Sequence, residues 1–251
     1  MTTSAAGRLV ILSGPSCVGK SPLARALARF HPEQHRRLQR LVLYNSRASR
    51  PGEADGVDYH FRARTQIEAM RAQERFAVLD VRGDLQALDL PPLAALLERG
   101  DAFFEGNPFI GRLLQTHPAL ARVRRLSVFM SPLSREEILF LREPARNVVL
   151  PELVTDIMRR KLLRRTRRQT GELSLKDLEN IERRAGSAFL ELREATHFEH
   201  VIPNHDGEDS DNWDAFYYPL GDARKALRAF VDLLEGRVPA QVEKWEPDLL
   251  A

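Results

Sequence analysis

The residues best suited to chemistry lie near the N-terminus, at positions 14–21. They follow the pattern G-x-x-x-x-G-K-S, in which two glycines let the chain turn so that consecutive N–H groups point at a di- or triphosphate. Lys20 can reach the β- and γ-phosphates of ATP, and the Ser21 hydroxyl can ligate Mg²⁺. The segment therefore predicts a site for ATP and magnesium. Its predicted ATP-binding residues are Gly14, Pro15, Ser16, Cys17, Val18, Gly19, Lys20 and Ser21.

The sequence on both sides of this loop supports the prediction. The apolar run RLVILSG before it is typical of a buried parallel strand. After it, Leu23, Leu27 and Phe30 recur at helical spacing, and Pro22 falls in the first turn, where its missing N–H is not needed. A strand, a glycine loop and a helix N-terminus together bind an anion through backbone dipoles. A chance match to the motif is the alternative, and this context disfavours it.

A second set of residues is suited to holding another phosphate. Arg47 and Arg50 lie three residues apart, and Glu53 and Tyr59 follow them. Two guanidinium groups can bind one phosphate, a tyrosine hydroxyl can add a donor, and Glu53 can orient one arginine. A solvated basic turn would explain the arginines alone. The combination predicts an acceptor-binding segment.

The elements that must position these residues alternate along the chain. Apolar runs at 41–46, 102–106, 126–130 and 199–204 are typical of strands, and capping boxes at Ser134-x-x-Glu137 and Ser174-x-x-Asp177 start two helices, the second running to about residue 195. A further amphipathic helix contains Leu227 and Phe230. This alternation predicts an α/β fold with a parallel sheet core flanked by helices.

Composition narrows the class of protein further. The chain has 251 residues and a net charge of +3, and 38 of its residues are Lys or Arg. The predominance of arginine matches what a GC-rich genome produces and by itself does not indicate nucleic acid. The single cysteine, Cys17, cannot form an internal disulfide, although loop N–H groups can lower a thiol pKa and a redox switch there is an alternative. No apolar run approaches the ~20 residues of a membrane span, so we expect a cytoplasmic protein without a membrane partner.

At these residues the chain resembles the guanylate kinases. The resemblance rests on the glycine loop at 14–21, on Arg47-Ala-Ser-Arg50-Pro-Gly-Glu53, and on Asp-Gly-Val-Asp-Tyr59-His-Phe. It is strong over residues 8–61 and looser from about 126 to 234. It implies a P-loop kinase fold with an inserted acceptor-binding subdomain and a helical lid. It also implies that ATP, with Mg²⁺, donates its γ-phosphate to a nucleoside 5′-monophosphate such as GMP or dGMP, whose phosphate Arg47, Arg50 and Tyr59 hold.

The sequence departs from the family where the base is read. Leu43 or Tyr44 stands in place of a serine, and Ala77 and Val78 stand in place of a glutamate. The segment GDLQA at 83–87 lacks the family's second phosphate-binding tyrosine. We expect Asp80 or Glu105 to replace the missing acceptor-binding residues, with Asn107 as a further candidate. Missing partners for a buried base change selectivity by orders of magnitude.

An arginine-rich run from 159 to 168 has three interpretations. It is a solvated helix face, an RNA contact, or, as the resemblance implies, a lid whose arginines stabilise the charge that moves during phosphoryl transfer. We favour the lid. Its predicted catalytic residues are Arg164, Arg167 and Arg168, with Arg184 on the next helix and Lys20 of the loop. The resemblance also places Asn204 near the adenine of ATP.

The resemblance implies one guanylate-kinase-like domain over residues 1–251. Its predicted parts are a core at about 7–46, 102–150 and 196–236, an acceptor-binding subdomain at 47–101, a lid at 151–195 and a peripheral tail at 237–251. A kinase of another phosphorylated small molecule and a non-catalytic binding module are the alternatives, together with an RNA-binding ATPase. Lys20 and Ser21 argue against the binding module, because a module without catalysis does not need them.

Overall fold

A computed structural model describes residues 7–50 and 52–250. The strands are β1 (Leu9–Ser13), β2 (Leu38–Arg40), β3 (Tyr44–Asn45), β4 (His60–Phe61), β5 (Phe76–Val81), β6 (Asp84–Asp89), β7 (Asp101–Gly106), β8 (Arg125–Ser131) and β9 (His200–Pro203). The helices are α1 (Lys20–Phe30), α2 (Pro32–Arg36), α3 (Arg64–Met70), α4 (Leu90–Arg99), α5 (Pro108–Thr116), α6 (Arg135–Leu141), α7 (Leu150–Thr170), α8 (Leu175–Gly186), α9 (Ala188–Arg193) and α10 (Gly221–Leu234). None of these helices is both long enough and apolar enough to cross a membrane.

The main sheet has the strand order β2-β7-β1-β8-β9, and all its pairs are parallel. The central strand β1 is buried along its whole length. Leu9 and Ile11 belong to one hydrophobic cluster, and Val10 and Leu12 belong to another, because successive side chains of a strand point to opposite faces. The predicted α/β fold with a helix-flanked parallel core is confirmed.

A second, smaller sheet has the order β4-β3-β6-β5 and pairs mostly antiparallel. It includes Asn45 directly opposite Gln86. The strand predicted at 41–46 is wrong in extent, because only residues 44–45 pair, and they pair in this second sheet. Leu41 and Leu43 are instead buried in the main hydrophobic cluster. The apolar character of this run therefore reflects burial and not a long strand.

Both predicted capping boxes are confirmed. The Ser134 hydroxyl accepts from the Glu137 N–H and the Ser174 hydroxyl accepts from the Asp177 N–H. The single helix predicted from 174 to 195 is interrupted between α8 and α9. At the break, the Ser187 hydroxyl donates to Glu191 at 2.7 Å and lies 3.3 Å from the Arg184 carbonyl as a weaker alternative acceptor. Such local side-chain bonds compete with helical ones.

The tail beyond residue 236 packs on the core, which corrects its prediction as peripheral. Glu243 exchanges two backbone hydrogen bonds of 2.8 Å with Val201 of β9. Trp245 is 1% exposed, and Leu249 and Leu250 join the main hydrophobic cluster. The few apolar side chains of the tail are therefore part of the core.

Candidate active site

The glycine loop adopts the conformation that its sequence predicts. Gly14 has φ +152°, and a Cβ added there would lie 2.4 Å from the Met130 carbonyl oxygen, so only glycine fits. The buried Lys20 ammonium donates to the Gly14 and Pro15 carbonyls, both at 2.8 Å. Burial lowers the pKa of Lys20. The Ser21 hydroxyl at the start of α1 donates to Glu105 at 2.6 Å.

One cleft of about 490 Å³ joins the loop to the acceptor-binding segment. The predicted site residues that line it are Gly14, Ser16, Cys17, Lys20, Ser21, Arg47, Arg50, Glu53, Tyr59, Glu105 and Arg184. Two segments more than 20 residues apart in sequence therefore face the same space. Their roles toward ligands remain predictions.

The acceptor-binding segment is held by one carboxylate. Glu53 accepts two bonds of 2.6 Å from the Arg47 guanidinium and one of 2.8 Å from the Arg50 N–H. Burial opposes ionisation of Glu53, yet the bonds from Arg47 and Arg50 lower its pKa. Arg47 also lies over the Tyr59 ring, 5.2 Å from its centre. Glu53 thus orients Arg47, as the sequence suggests, and leaves the Arg50 guanidinium to the cleft.

Arginines of α7 and α8 also reach the cleft. Arg184 of α8 is buried and donates to the Ser16 hydroxyl of the loop at 3.0 Å. Arg165 of α7 lines the cleft, and its buried Nε has no hydrogen-bond partner among the described residues. Burial and the charges of Arg47 and Arg165 lower the pKa of Arg50 to about 10. Such a concentration of guanidinium groups is suited to a multiply charged anion.

The other predicted lid arginines point away from this space. Arg164 forms hydrogen bonds of 2.6 and 2.8 Å with Asp209, Arg168 pairs with Asp211 at 3.0 Å, and Arg167 is exposed. The basic residues of this run lie on several faces of α7, so their positions alone do not show which face packs toward the cleft. Met158 and Leu162 are buried, and Arg165 follows Leu162 by three residues, so the three side chains lie on the same face of α7. That spacing could have identified Arg165 from the sequence.

Asn204 lies behind the glycine loop rather than in the cleft. It is fully buried, and its amide nitrogen donates to the Val18 carbonyl at 2.8 Å and to the Asp206 carbonyl at 2.6 Å. A Cβ added at Gly19 would lie 2.5 Å from that nitrogen. The geometry thus gives Asn204 the position of a support for the loop. Val18, Pro15 and Gly19 also lie outside the cleft lining.

In the cleft wall formed by the second sheet, the structure brings two buried amides together, near the partly exposed Asp84 of β6. Asn45 and Gln86 are opposite each other on β3 and β6, both are buried, and both line the cleft. Leu43 and Ala77 pack in or against the main hydrophobic cluster. Asp80 is about half exposed, accepts from the Gly83 N–H, and lies outside the cleft lining. Of the expected replacement readers, Glu105 and Asn107 line the cleft.

The single thiol is buried, and its surroundings disfavour the thiolate. Cys17 is 1% exposed, and burial together with the neighbouring carboxylate of Glu208 raises its pKa. This is the opposite of the effect that loop N–H groups alone would have, so the redox-switch alternative loses its basis. Glu208 also lines the cleft, and sequence analysis missed it because it lies in a polar loop.

A histidine fixes the start of that loop and makes stability depend on pH. His205 pairs with Asp222 at 2.5 Å and with Glu137 at 2.9 Å. Burial lowers the pKa of His205, but the bonds to these carboxylates outweigh it and raise the pKa above its usual value.

The contribution of His205 is therefore present below the unfolded pKa of about 6.5 and is lost as pH rises through the higher folded pKa. Because the ring is about half exposed, we expect His205→Gln to lower the free energy of unfolding by no more than about 1 kcal/mol at pH 6 and by less at pH 9. Urea denaturation at both pH values measures this, with His197→Gln as the control. Equal losses at the two pH values would contradict it.

Comparison with known proteins finds one family. The family model "Guanylate kinase" matches residues 6–82. The guanylate kinase of Rhodococcus jostii (strain RHA1) is 32% identical over 201 residues, which is 80% of this chain and 81% of that one. The guanylate kinase of Corynebacterium diphtheriae is 31% identical over 205 residues, which is 80% of this chain and 89% of that one.

A solved structure shares the fold. The crystal structure of guanylate kinase from Anaplasma phagocytophilum aligns with a TM-score of 0.54 at 15% identity, over 92% of this chain and 86% of that one. At this identity the match concerns the fold alone, whereas the sequence matches extend over most of both chains. The resemblance inferred from the glycine loop and the paired arginines is therefore confirmed: the chain belongs to the guanylate kinase family.

Proposed function

We propose that this protein is a guanylate kinase, which transfers the γ-phosphate of ATP to the phosphate of GMP or dGMP and releases the diphosphate. The observation that carries the proposal is the shared cleft. Lys20 and Ser21 of the glycine loop face the same space as Arg47, Arg50 and Tyr59. Relatives named guanylate kinase align over four-fifths of the chain. A donor-phosphate site next to an acceptor-phosphate site is what phosphoryl transfer requires.

On the donor side, the protein's own groups stabilise charge on the moving phosphoryl group. Lys20, Arg165 and Arg184 would contact its oxygens, since all three line the cleft. Ser21 and Glu105 are oxygen ligands 2.6 Å apart, the type that Mg²⁺ prefers, and they would hold the ion. Bound magnesium neutralises charge on the β- and γ-phosphates.

On the acceptor side, Arg50 and Tyr59 would hold the monophosphate while Glu53 orients Arg47. We assign the acceptor-binding subdomain to about 47–101, and the lid to about 151–195, with the remaining core as predicted. Closure of the lid would exclude water, which otherwise hydrolyses ATP. A cytoplasmic location stays a prediction from the sequence.

The test is ADP release from ATP and Mg²⁺ in the presence of a panel of monophosphates. GMP-dependent ADP release, with formation of GDP, supports the proposal. The absence of ADP release with every monophosphate, from protein that binds ATP, would favour a non-catalytic binding module. Transfer to a non-nucleotide phosphate would favour the specialised kinase, a candidate supported by the burial of Leu43 and Ala77 in apolar surroundings.

The paired arginines provide a narrower test. We expect Arg50→Ala to raise KM for the acceptor and to lower kcat, with ATP affinity within about threefold of wild type. The reason is that Arg50 lines the cleft and no described residue accepts a hydrogen bond from its guanidinium. Arg47→Ala should act in the same direction and also release Glu53. Losing one positioned phosphate contact costs about 1.5–3 kcal/mol, or about 10- to 150-fold in kcat/KM.

Exposed Arg36 of α2 supplies a matched control, since Arg36→Ala removes a guanidinium outside the cleft lining. ATP affinity is measured by calorimetry and acceptor kinetics by ADP release. If the variants weaken ATP affinity as much as they impair acceptor kinetics, Arg47 and Arg50 belong to the ATP site.

A further inference from the structure

Among the cleft arginines outside the predicted sets, Arg82 has the most unusual position. Arg82 lies in the two-residue turn between β5 and β6, and it lines the cleft. We propose that Arg82 binds phosphate at the point of transfer, and that Glu191 of α9 holds it there. This inference rests on the proposed kinase function and adds one binding and one positioning residue to it.

The first observation is the backbone of the turn. Arg82 has φ +58° and Gly83 has φ +84°. Positive values at both positions define the hairpin turn for which Asn-Gly is preferred, since asparagine tolerates this region and an arginine rarely adopts it. A residue that serves only the turn would be asparagine or glycine. Strained conformations that persist cluster at functional sites.

The second observation is the set of contacts made by the side chain. Arg82 Nε donates to the Ser187 hydroxyl at 2.9 Å and to Glu191 Oε1 at 2.5 Å, and Nη2 pairs with the same carboxylate. Glu191 is 0% exposed and also accepts from Ser187 and from Asn107. We name Arg82, Ser187 and Glu191 the arginine clasp. It joins the β5–β6 hairpin to α9, more than 100 residues away along the chain.

The clasp holds the Nε and Nη2 atoms of the Arg82 guanidinium and leaves Nη1 available to a ligand. No described residue accepts a hydrogen bond from Arg82 Nη1. A guanidinium oriented by a buried carboxylate loses little freedom when it binds a phosphate oxygen. Glu191 is therefore a positioning residue, because it acts on the ligand through Arg82.

The third observation is the imbalance of charge in the cleft. Arg82 joins Lys20, Arg50, Arg165 and Arg184, and burial and the charge of Arg82 both lower the pKa of Lys20 and Arg184. The cleft lining has nine Lys or Arg side chains against five Asp or Glu side chains, so an excess of positive charge faces the ligand space and a bound anion would neutralise it.

The clasp touches both sides of the cleft, because Glu191 accepts from the cleft residue Asn107 and Ser187 lies three residues after Arg184, whose guanidinium donates to Ser16 of the loop. This position puts Arg82 between the glycine loop and the second sheet, where donor and acceptor phosphates would meet.

The test must separate binding from folding, because Arg82→Asn alone leaves the buried Glu191 without its ion pair. We therefore compare Arg82→Asn, Glu191→Gln and the double variant R82N/E191Q. Asparagine suits the turn, and glutamine removes the unpaired charge, so the double variant should regain the melting temperature that R82N loses. Its kcat/KM for GMP should stay about a hundredfold below wild type, the effect of removing one positioned donor.

Arg64→Ala is the matched control. Arg64 donates to the Gly83 carbonyl of the same hairpin at 2.7 Å but is exposed and lies outside the cleft lining. This variant should keep kcat/KM within threefold of wild type. Recovery of wild-type kcat/KM together with stability in R82N/E191Q would show that the clasp is only structural and would overturn the proposal.

A binding measurement keeps this test independent of the acceptor. Inorganic phosphate is titrated into protein saturated with ADP and Mg²⁺, so that the probe occupies the transfer site. R82N/E191Q should weaken phosphate binding at least tenfold, and R64A should leave it unchanged. If wild type fails to phosphorylate GMP yet shows this difference, the kinase assignment fails and the Arg82 site stands. Unchanged phosphate affinity in the double variant would refute the Arg82 site.

Discussion

Lys20→Ala is expected to lower kcat by about a thousandfold, which corresponds to about 4 kcal/mol of barrier. The physical reason is the position of the ammonium group. It is buried at the cleft, and its two hydrogen bonds go to carbonyls of the loop itself. An ammonium held in this way gains its strongest partner when a phosphate arrives, and it stabilises the charge that develops during transfer.

The fold should survive this change, since Lys20 has no carboxylate partner within hydrogen-bond distance among the described residues. Lys161→Ala is a control matched for burial. Lys161 is also buried, but it binds the His205 carbonyl and pairs with Asp209 at 3.6 Å outside the cleft lining. We expect K161A to lower the melting temperature and to leave kcat within a few-fold of wild type. Turnover by K20A at a similar level would mean that the loop does not hold the transferred phosphate.

The second large effect concerns the choice of acceptor. We expect kcat/KM for GMP to be about a hundredfold lower than that of the Rhodococcus jostii guanylate kinase measured side by side. Where the resemblance places the guanine readers, the chain has Leu43 or Tyr44 and, in place of the glutamate, Ala77 and Val78. Leu43 lies in the main hydrophobic cluster and Ala77 packs against it. Each lost hydrogen bond to a base is worth about 1 kcal/mol, so two or three such losses give this factor.

The replacement readers expected from the sequence compensate only in part. Asp80 lies outside the cleft lining, Glu105 accepts from Ser21, and the Asn107 amide donates to Glu191. At the wall of the second sheet the polar groups are the two amides of Asn45 and Gln86 and the partly exposed carboxylate of Asp84. An amide offers a donor and an acceptor together, which gives it less preference for one base than a carboxylate has.

The measurement is kcat/KM for GMP, dGMP, AMP, IMP and sugar phosphates. Gln86→Leu, which keeps the volume and removes the amide, should change the ratios among acceptors without changing ATP affinity. GMP turnover at the relative's efficiency, with all other acceptors rejected, would show that the cleft still reads guanine. Weak activity with every nucleotide would favour the specialised kinase.

The local parts of the site follow from the sequence. The glycine loop, the helix that starts at Lys20, the parallel strand before it and both capping boxes depend on residues within a few positions of one another. So does the hold of Glu53 on Arg47, six residues away. Backbone conformation and short-range hydrogen bonds decide these features, and residue type and spacing determine both.

Tertiary structure decided which side chains share the cleft. The six arginines of α7 lie close together in sequence, yet burial of Met158 and Leu162 turns Arg165 toward the cleft, while Arg164 binds Asp209. Arg82 reaches Glu191 across 109 residues. Contacts between distant segments depend on how the elements pack, and one residue of helical phase turns a side chain by about 100°. The sequence by itself therefore determined the phosphate loop and the family, and packing determined which charges surround the transferred phosphate.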